Sequence, residues 1–177
     1  MSENLGLLQI GRELDYDLNR LIDPISARYP WMKVSIVAPL SDPREAHDSR
    51  RNQFHSTRIL TLLERRIQTL PVDKLLGVAS FDLYVPSMNF VFGEARLPGR
   101  VGVISTCRLR PQSPHETGMF HDRVIKEAVH EIGHMIGLKH CSDASCVMHF
   151  SERLADTDLK SASPCKNCRS QLMVKIE

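Results

Sequence analysis

The segment running from His130-Glu131-Ile132-Gly133-His134 through Gly137 to His140 constrains this chain more than any other. It asks for a helix, a sharp turn that ends it, and three imidazoles converging on one point. His130 and His134 are four residues apart, so a helix stacks them one turn apart on the same face, where both can reach one ion. Glu131 lies about 100° round the helix from His130, close enough to approach a water at that ion without ligating it. A third histidine six residues after His134 cannot stay on that face, so the chain has to turn, and Gly137 permits the left-handed backbone that does so. Three neutral nitrogens with a fourth position left open form the donor set of a catalytic zinc. With this chain's composition, chance supplies the full H-E-x-x-H-x-x-G-x-x-H pattern about 4 times in 100,000, so three unrelated polar residues are the weaker account. Of the five other histidines, His47, His55, His115 and His121 read as ordinary surface or core residues. Gly133 reads as a point of close helix packing.

The cysteines give a second constellation. Cys107 stands alone in the apolar context VGVISTCRL and reads as an ordinary core or strand residue. Cys141, Cys146, Cys165 and Cys168 form C-x4-C and C-x2-C, two short loops that each present two thiolates, as a tetrahedral structural zinc requires. A disulfide framework and a redox C-x-x-C are the alternatives. The first is disfavoured in an intracellular chain, and the second leaves Cys141 and Cys146 without a role.

Around these residues the pattern predicts β-α-β-α-β-β-β and then the zinc-binding helix. Leu5 to Ile10 reads as a strand, and Leu14, Leu18, Leu21, Ile22 and Ile25 recur at helical spacing until Pro30. Lys33 to Pro39 reads as a strand and Ser41 to Asn52 as an exposed loop. Apolar residues from Ile59 to Leu70 make a second helix. Three strands follow, at Leu76 to Phe81, Asn89 to Leu97 and Arg100 to Leu109, separated by turn signals at Pro86-Ser87 and Pro98-Gly99. The third helix starts between Pro114 and Asp122. Val124, Ile125, Ala128, Val129, Ile132 and Ile136 line one of its faces, and Arg123, Glu127, His130 and His134 another.

At 177 residues and with no internal linker, the chain reads as a single domain over 1–177. Within it, 1–137 is the sheet-and-helix part with the active-site helix, and 138–177 is a C-terminal part with the structural zinc. A domain of this size buries roughly 70% of its unfolded surface and needs no metal merely to fold. Lys plus Arg total 23 against 21 for Asp plus Glu, and the basic residues are scattered, so no nucleic-acid partner is expected. No apolar run approaches the roughly 18 residues of a membrane span, and the opening MSENLGLLQIGRELD has no basic leader region. A cytoplasmic protein without a membrane partner, and a monomer, is expected.

Taken together, the long histidine motif and Met148, in Cys146-Val147-Met148-His149, resemble the metzincin zinc peptidases, whose later methionine makes a turn beneath the zinc. More narrowly, His140 followed at once by Cys141, then Cys146, Met148 and Cys165-x2-Cys168, resembles the archaemetzincins over residues 124–168, and FVFGEARLPGR at Phe90 to Arg100 is similar to the same family. The resemblance implies a compact α/β metzincin fold, a twisted mixed β-sheet with helices, and an active cleft along the sheet edge. It implies two zinc ions per chain: a catalytic one on His130, His134 and His140, with Glu131 as general base, and a structural one on Cys141, Cys146, Cys165 and Cys168. Two positions depart from the pattern: Phe150 stands where some metzincins carry a tyrosine, and Pro164 stands where an aromatic is expected. Oxyanion help then has to come from zinc, a backbone N–H or His149.

The function expected is that of a zinc metallopeptidase hydrolysing peptide bonds of a peptide or protein substrate, with Glu131 taking the proton of a zinc-activated water. The alternatives are a non-peptidase zinc hydrolase and a zinc-organised peptide-binding module without turnover. Asn89 to Arg96 is expected to be a sheet-edge strand to which an extended substrate adds antiparallel, with Gly93 allowing close approach. Proline at Val91 or Glu94, whichever N–H faces outward, is the expected probe.

Overall fold

In the computed structural model, which describes residues 2–176 and their side chains as far as 172, the elements run in this order: β1 (Glu3–Ile10), α1 (Asn19–Arg28), β2 (Met32–Leu40), β3 (His47–Asp48), β4 (Gln53–His55), α2 (Ser56–Ile67), β5 (Lys74–Ala79), β6 (Leu83–Tyr84), β7 (Gly93–Ala95), β8 (Val101–Ser105), α3 (Phe120–Met135), α4 (Leu154–Leu159) and α5 (Lys166–Ile176). Five strands form one sheet in the order β2-β1-β5-β8-β7, parallel throughout except for β7, which runs antiparallel to β8 at one edge. Strands covered on both faces are apolar almost without interruption, and Leu5 to Leu8 and all of β8 are buried accordingly. Alternation along these strands sets the layers. Leu5, Leu7, Leu76, Val78 and Ile104 pack with α1 and α3, whereas Leu8, Ile10, Leu75, Ala79, Val101 and Val103 pack with α2. The result is a mixed sheet between two helical layers, in line with the mixed α/β fold that the resemblance implies.

Several boundaries differ from the sequence reading, each for a local reason. α1 begins at Asn19 rather than near Leu14, because Asp17 Oδ1 accepts the Asn19 backbone N–H at 3.0 Å and sets the first turn there. The stretch read as a loop from Ser41 holds a 3₁₀ turn at Arg44–Ala46 and β3, which joins β4 and β6 in a second small sheet of order β3-β4-β6. Strands of two or three residues carry no measurable periodicity.

The segment Asn89 to Leu97 is not one strand. The Asn89 carbonyl accepts from the side chains of Arg51 and Gln53, and the Val91 N–H donates to Leu83 O at 2.9 Å beside the small sheet. Only from Phe92 onward does the chain pair with β8, starting with Ser105 N–H to Phe92 O at 2.8 Å. Cys107 lies just past the end of β8, half-buried, with its N–H on Ser105 Oγ, so it is not a strand residue.

Helix α3 begins at Phe120 after a 3₁₀ turn over Pro114–Met119, and it is buried on every side from Arg123 to Met135. Three of its buried charges are paired: Arg123, 1% exposed, reaches Glu116 and Asp158 at 2.7 Å each, Lys126 reaches Asp122, and Glu127 reaches Lys160. Gly137 ends the helix with φ of 94°. Leu138 N–H donates to Gly133 O and Gly137 N–H to His134 O, both at 2.8 Å, which is the paired closure that a left-handed residue makes possible.

Candidate metal centres and cleft

The turn after α3 brings the three motif histidines together. Neighbouring rings among them have centroids 4.6 to 5.4 Å apart, and the Nε2 atoms of His130 and His134 are 3.1 Å apart. Their outer nitrogens are committed elsewhere: His130 Nδ1 donates to Val147 O and His134 Nδ1 to Leu138 O, each at 2.7 Å. A carbonyl oxygen can only accept, so Nδ1 carries the proton in both rings and each Nε2 presents a lone pair. Burial lowers the pKa of His130 far below the ordinary histidine value, and it lowers His134 and His140 as well, so all three rings favour the neutral form. Two lone pairs facing each other at 3.1 Å repel unless a cation lies between them. Nitrogens about 2.0–2.1 Å from a tetrahedral ion lie about 3.4 Å apart, so the donor set fits zinc.

Glu131 is buried within α3 and its Oε2 has no hydrogen-bond partner among the described residues. Burial, with the Glu127 carboxylate next in weight, holds its pKa well above the ordinary range. It faces Gly93 of β7, where a Cβ would lie 2.7 Å from Glu131 Oε1. A cleft of about 510 Å³ opens here. Residues 90–95 and Leu97 line it on the β7 side, with His130, Glu131, His134 and His140 from the motif and Phe150, Ser151, Glu152 and Lys160 from the C-terminal part. Ser151 Oγ is a second buried polar atom without a described partner, so two cleft residues carry unused hydrogen-bonding capacity. Phe150 lays its ring 5.0 Å from that of His140. His149 turns away and puts Nδ1 on Cys141 O at 2.9 Å, so it is not among the residues lining the cleft.

The four clustered cysteines also converge. Cys141 Sγ is 3.8 Å from Cys165 Sγ, Cys146 Sγ is 3.8 Å from Cys168 Sγ, and all four sulfurs lie within 4.8 Å of one another. A disulfide needs about 2.05 Å, whereas thiolates about 2.3 Å from a tetrahedral ion lie about 3.8 Å apart. The backbone N–H of Met148 and of Cys165 both point at Cys146 Sγ, as suits a thiolate. The Cys168 N–H draws the Cys165 thiol down to about 7, while burial raises Cys146 and Cys168. Four thiols this close cannot all ionise without a cation among them, so this donor set fits a closed zinc site too. Cys107 belongs to neither cluster.

Residues 146–148 connect the two clusters. Cys146 belongs to the sulfur set, the Val147 carbonyl holds His130, and Met148 packs against Gly133 in the middle of the motif. A Cβ at residue 133 would collide with Met148 Sδ and lie 2.9 Å from its Cε. Gly133→Ala is therefore expected to destabilise by about 1–3 kcal/mol through overpacking, read as a lowered thermal midpoint at unchanged zinc content.

The buried Glu127–Lys160 ion pair was not signalled by the sequence as a pair. Lys160, 2% exposed, puts Nζ 3.3 Å from Glu127 Oε1 and 3.3 Å from His149 O. Its context ADTDLKSAS looks like a polar surface segment, and only Glu127, one turn before Glu131 on the charged helix face, carried a hint. The pair sets a cation beside the second carboxylate next to Glu131 and offsets part of its charge.

The model of peptidase family M54 matches residues 43–174. Archaemetzincin of Archaeoglobus fulgidus is 44% identical over 137 residues, covering 77% of this chain and 79% of that protein. The crystal structure of archaemetzincin from Methanopyrus kandleri superposes with a TM-score of 0.86 at 34% identity, covering 99% of this chain and 96% of that one. A zinc-dependent peptidase from Methanocorpusculum labreanum superposes with a TM-score of 0.81 at 30% identity, covering 95% and 99%.

Proposed function

The chain belongs to peptidase family M54, the archaemetzincins, and is a zinc-dependent metallopeptidase; on that premise we propose that it cuts peptide bonds in the cleft beside β7, with Glu131 as general base and His130, His134 and His140 as the ligands of the catalytic zinc. The observation that carries this reading is the buried Glu131 carboxylate, without a hydrogen-bond partner at Oε2 among the described residues, beside two imidazole Nε2 atoms 3.1 Å apart.

The three imidazoles would hold the zinc, which when bound would supply Lewis acidity towards a water and a carbonyl. Glu131 accepts the proton of the attacking water and returns it to the departing amine nitrogen as the C–N bond breaks. Burial holds its pKa above the ordinary carboxylate range, which strengthens the carboxylate as a proton acceptor. Val147 O and Leu138 O fix the rings of His130 and His134 and keep their Nε2 atoms directed at one point. Phe150 offers no donor at the position where a tyrosine would help, while Ser151 Oγ stands unused in the same wall.

A second zinc, on Cys141, Cys146, Cys165 and Cys168, completes the proposal. It divides the single domain into 1–137, which carries the sheet and the base, and 138–177, which is stapled by the thiolates. Thiols set for a metal rather than cross-linked suit a reducing compartment, so the cytoplasm is the proposed location. Among the described residues, no helix is long and apolar enough to cross a membrane.

Substrate is proposed to add to β7 as an antiparallel neighbour. Glu94 pairs with Val103 in phase with the bonds Arg96 N–H to Val101 O and Ser105 N–H to Phe92 O, so the Glu94 main chain faces β8 and those of Gly93 and Ala95 face away. With Val91 already bonded to Leu83, neither Val91 nor Glu94 is the right position for a proline probe. Ala95→Pro removes an outward N–H and is expected to lower peptide turnover about 5- to 10-fold at an almost unchanged melting temperature.

The test of the reaction is a diverse peptide library incubated with zinc-loaded protein and with metal-stripped protein, with new amino termini read by mass spectrometry. Cleavage confined to the loaded sample supports the assignment, and no cut by a fully loaded protein overturns it.

A further inference from the structure

A second hollow, of about 570 Å³, lies behind the wall formed by Phe90 and Phe92, which line both it and the catalytic cleft. The two rings meet edge to face at 5.2 Å, and the Arg108 guanidinium sits 4.2 Å above Phe90. Beyond that wall the hollow is basic, with Arg108, Arg110 and Arg153 in its lining. Arg108 gives Nε and Nη2 to Asp82, and Arg110 gives Nε to Asp15 and Nη2 to Ser80 O, so each keeps Nη1 uncommitted among the described residues. Arg153 has no ion-pair partner among the described residues. Asp82 and Asp15 hold Arg108 and Arg110, Asp156 turns its carboxylate to the backbone N–H of Glu152 and Arg153, and no acid is among the residues lining the hollow. Free guanidinium N–H donors, and no carboxylate, therefore line the hollow.

The direction of a bound peptide decides which of its residues meets this groove. Glu131 stands against Gly93, so the hydrolytic centre lies level with Gly93. β7 runs from Gly93 to Ala95, and an antiparallel peptide runs the opposite way, entering by Ala95 and leaving past Phe92 and Phe90. What passes the phenylalanine wall is then the portion after the cut bond.

We propose that the groove of Arg108, Arg110 and Arg153 receives a carboxylate on the C-terminal side of the scissile bond, supplied by an acidic side chain or by the peptide's own terminus. This specificity rests on the metallopeptidase reading and on antiparallel addition to β7. Planar guanidinium forks suit a carboxylate, and the half-exposed setting limits the gain to the scale of surface ion pairs.

The test uses peptides that the zinc-loaded protein cleaves, remade with Glu, Gln or Lys at each of the first three positions after the cut, and with a free or an amidated C-terminus. kcat/KM for Glu is expected to exceed that for Gln about 3- to 10-fold at one of these positions, and Lys is expected to fall below Gln. The Glu preference is expected to shrink towards one in about 1 M salt, where screening is nearly complete. Arg153→Met, chosen because it orphans no acid, is expected to move the Glu-to-Gln ratio towards one, chiefly through KM. A preference that follows the free terminus instead of a side chain assigns the carboxylate to the peptide end. Equal kcat/KM for Glu, Gln and Lys and for both termini overturns the groove and leaves the peptidase reading intact. If no peptide is cut, one labelled ten-residue peptide carrying Glu, Gln or Lys at each position in turn, with a free or an amidated C-terminus, is bound to the Glu131→Gln protein and read by fluorescence anisotropy: an acid preference lost in the added Arg153→Met supports the groove, and its absence overturns it.

Discussion

Glu131→Gln is expected to lower kcat about 10²- to 10⁴-fold while zinc content and fold stay as they are. The carboxamide has the shape of the carboxylate and cannot take a proton. Glu131 is outside both groups of converging ligand atoms, and its Oε2 makes no described hydrogen bond, so the exchange breaks nothing structural at that atom. Removing a buried carboxylate that lies next to the Glu127 charge should even raise the thermal midpoint slightly. The measurements are peptide turnover, metal analysis and a thermal melt on the same preparation. Undiminished turnover in the variant takes Glu131 out of the mechanism.

Cys146→Ser is the substitution expected to cost most stability. Cys146 is 1% exposed, its sulfur accepts two backbone N–H groups, and it stands in the sulfur cluster. Losing a structural metal belongs with the largest single-site effects, on the order of 4–5 kcal/mol, or roughly 10 °C in thermal midpoint for a chain of this length. The intact protein should carry about two zinc ions and fall to about one after brief chelation, because a closed thiolate set yields metal more slowly than an open imidazole set. Acid should act in the same order: burial lowers all three imidazoles, so protons compete for them only below the ordinary histidine value of about 6.5, and metal leaves as they charge. A fully loaded protein holding one zinc, indifferent to Cys165→Ser, overturns the two-site assignment.

Which features the sequence reveals follows from how local they are. The histidine motif is a matter of helical spacing plus one glycine, and the helix of α3 and the left-handed Gly137 both appear where that logic asks for them. The four cysteines converge as their two short loops require. What stays hidden depends on partners distant in the chain. The stretch from Asn89 to Leu97 reads as one strand because nothing local records that Arg51 and Gln53 take the Asn89 carbonyl and leave only Gly93–Ala95 for the main sheet. Lys160 looks like a surface residue until the C-terminal part folds over α3 and meets Glu127. Full burial of α3, likewise, needs covering layers that its own two-faced pattern does not announce.

Three consecutive residues, Cys146, Val147 and Met148, do their work through three different parts of the residue, and this sets how freely each position can vary. Position 146 places a sulfur atom within 4.8 Å of three others in a fully buried spot, which leaves no room for the larger imidazole donor. Position 147 holds His130 through its main-chain oxygen, so its side chain has only to fill buried space, and isoleucine should serve. Position 148 has to lie flat against a glycine with no Cβ, a demand that an unbranched, pliable chain meets and a β-branched one does not. In a saturation screen scored on zinc retention, tolerance across these neighbours should therefore run from none, to a few aliphatic residues, to long unbranched ones alone.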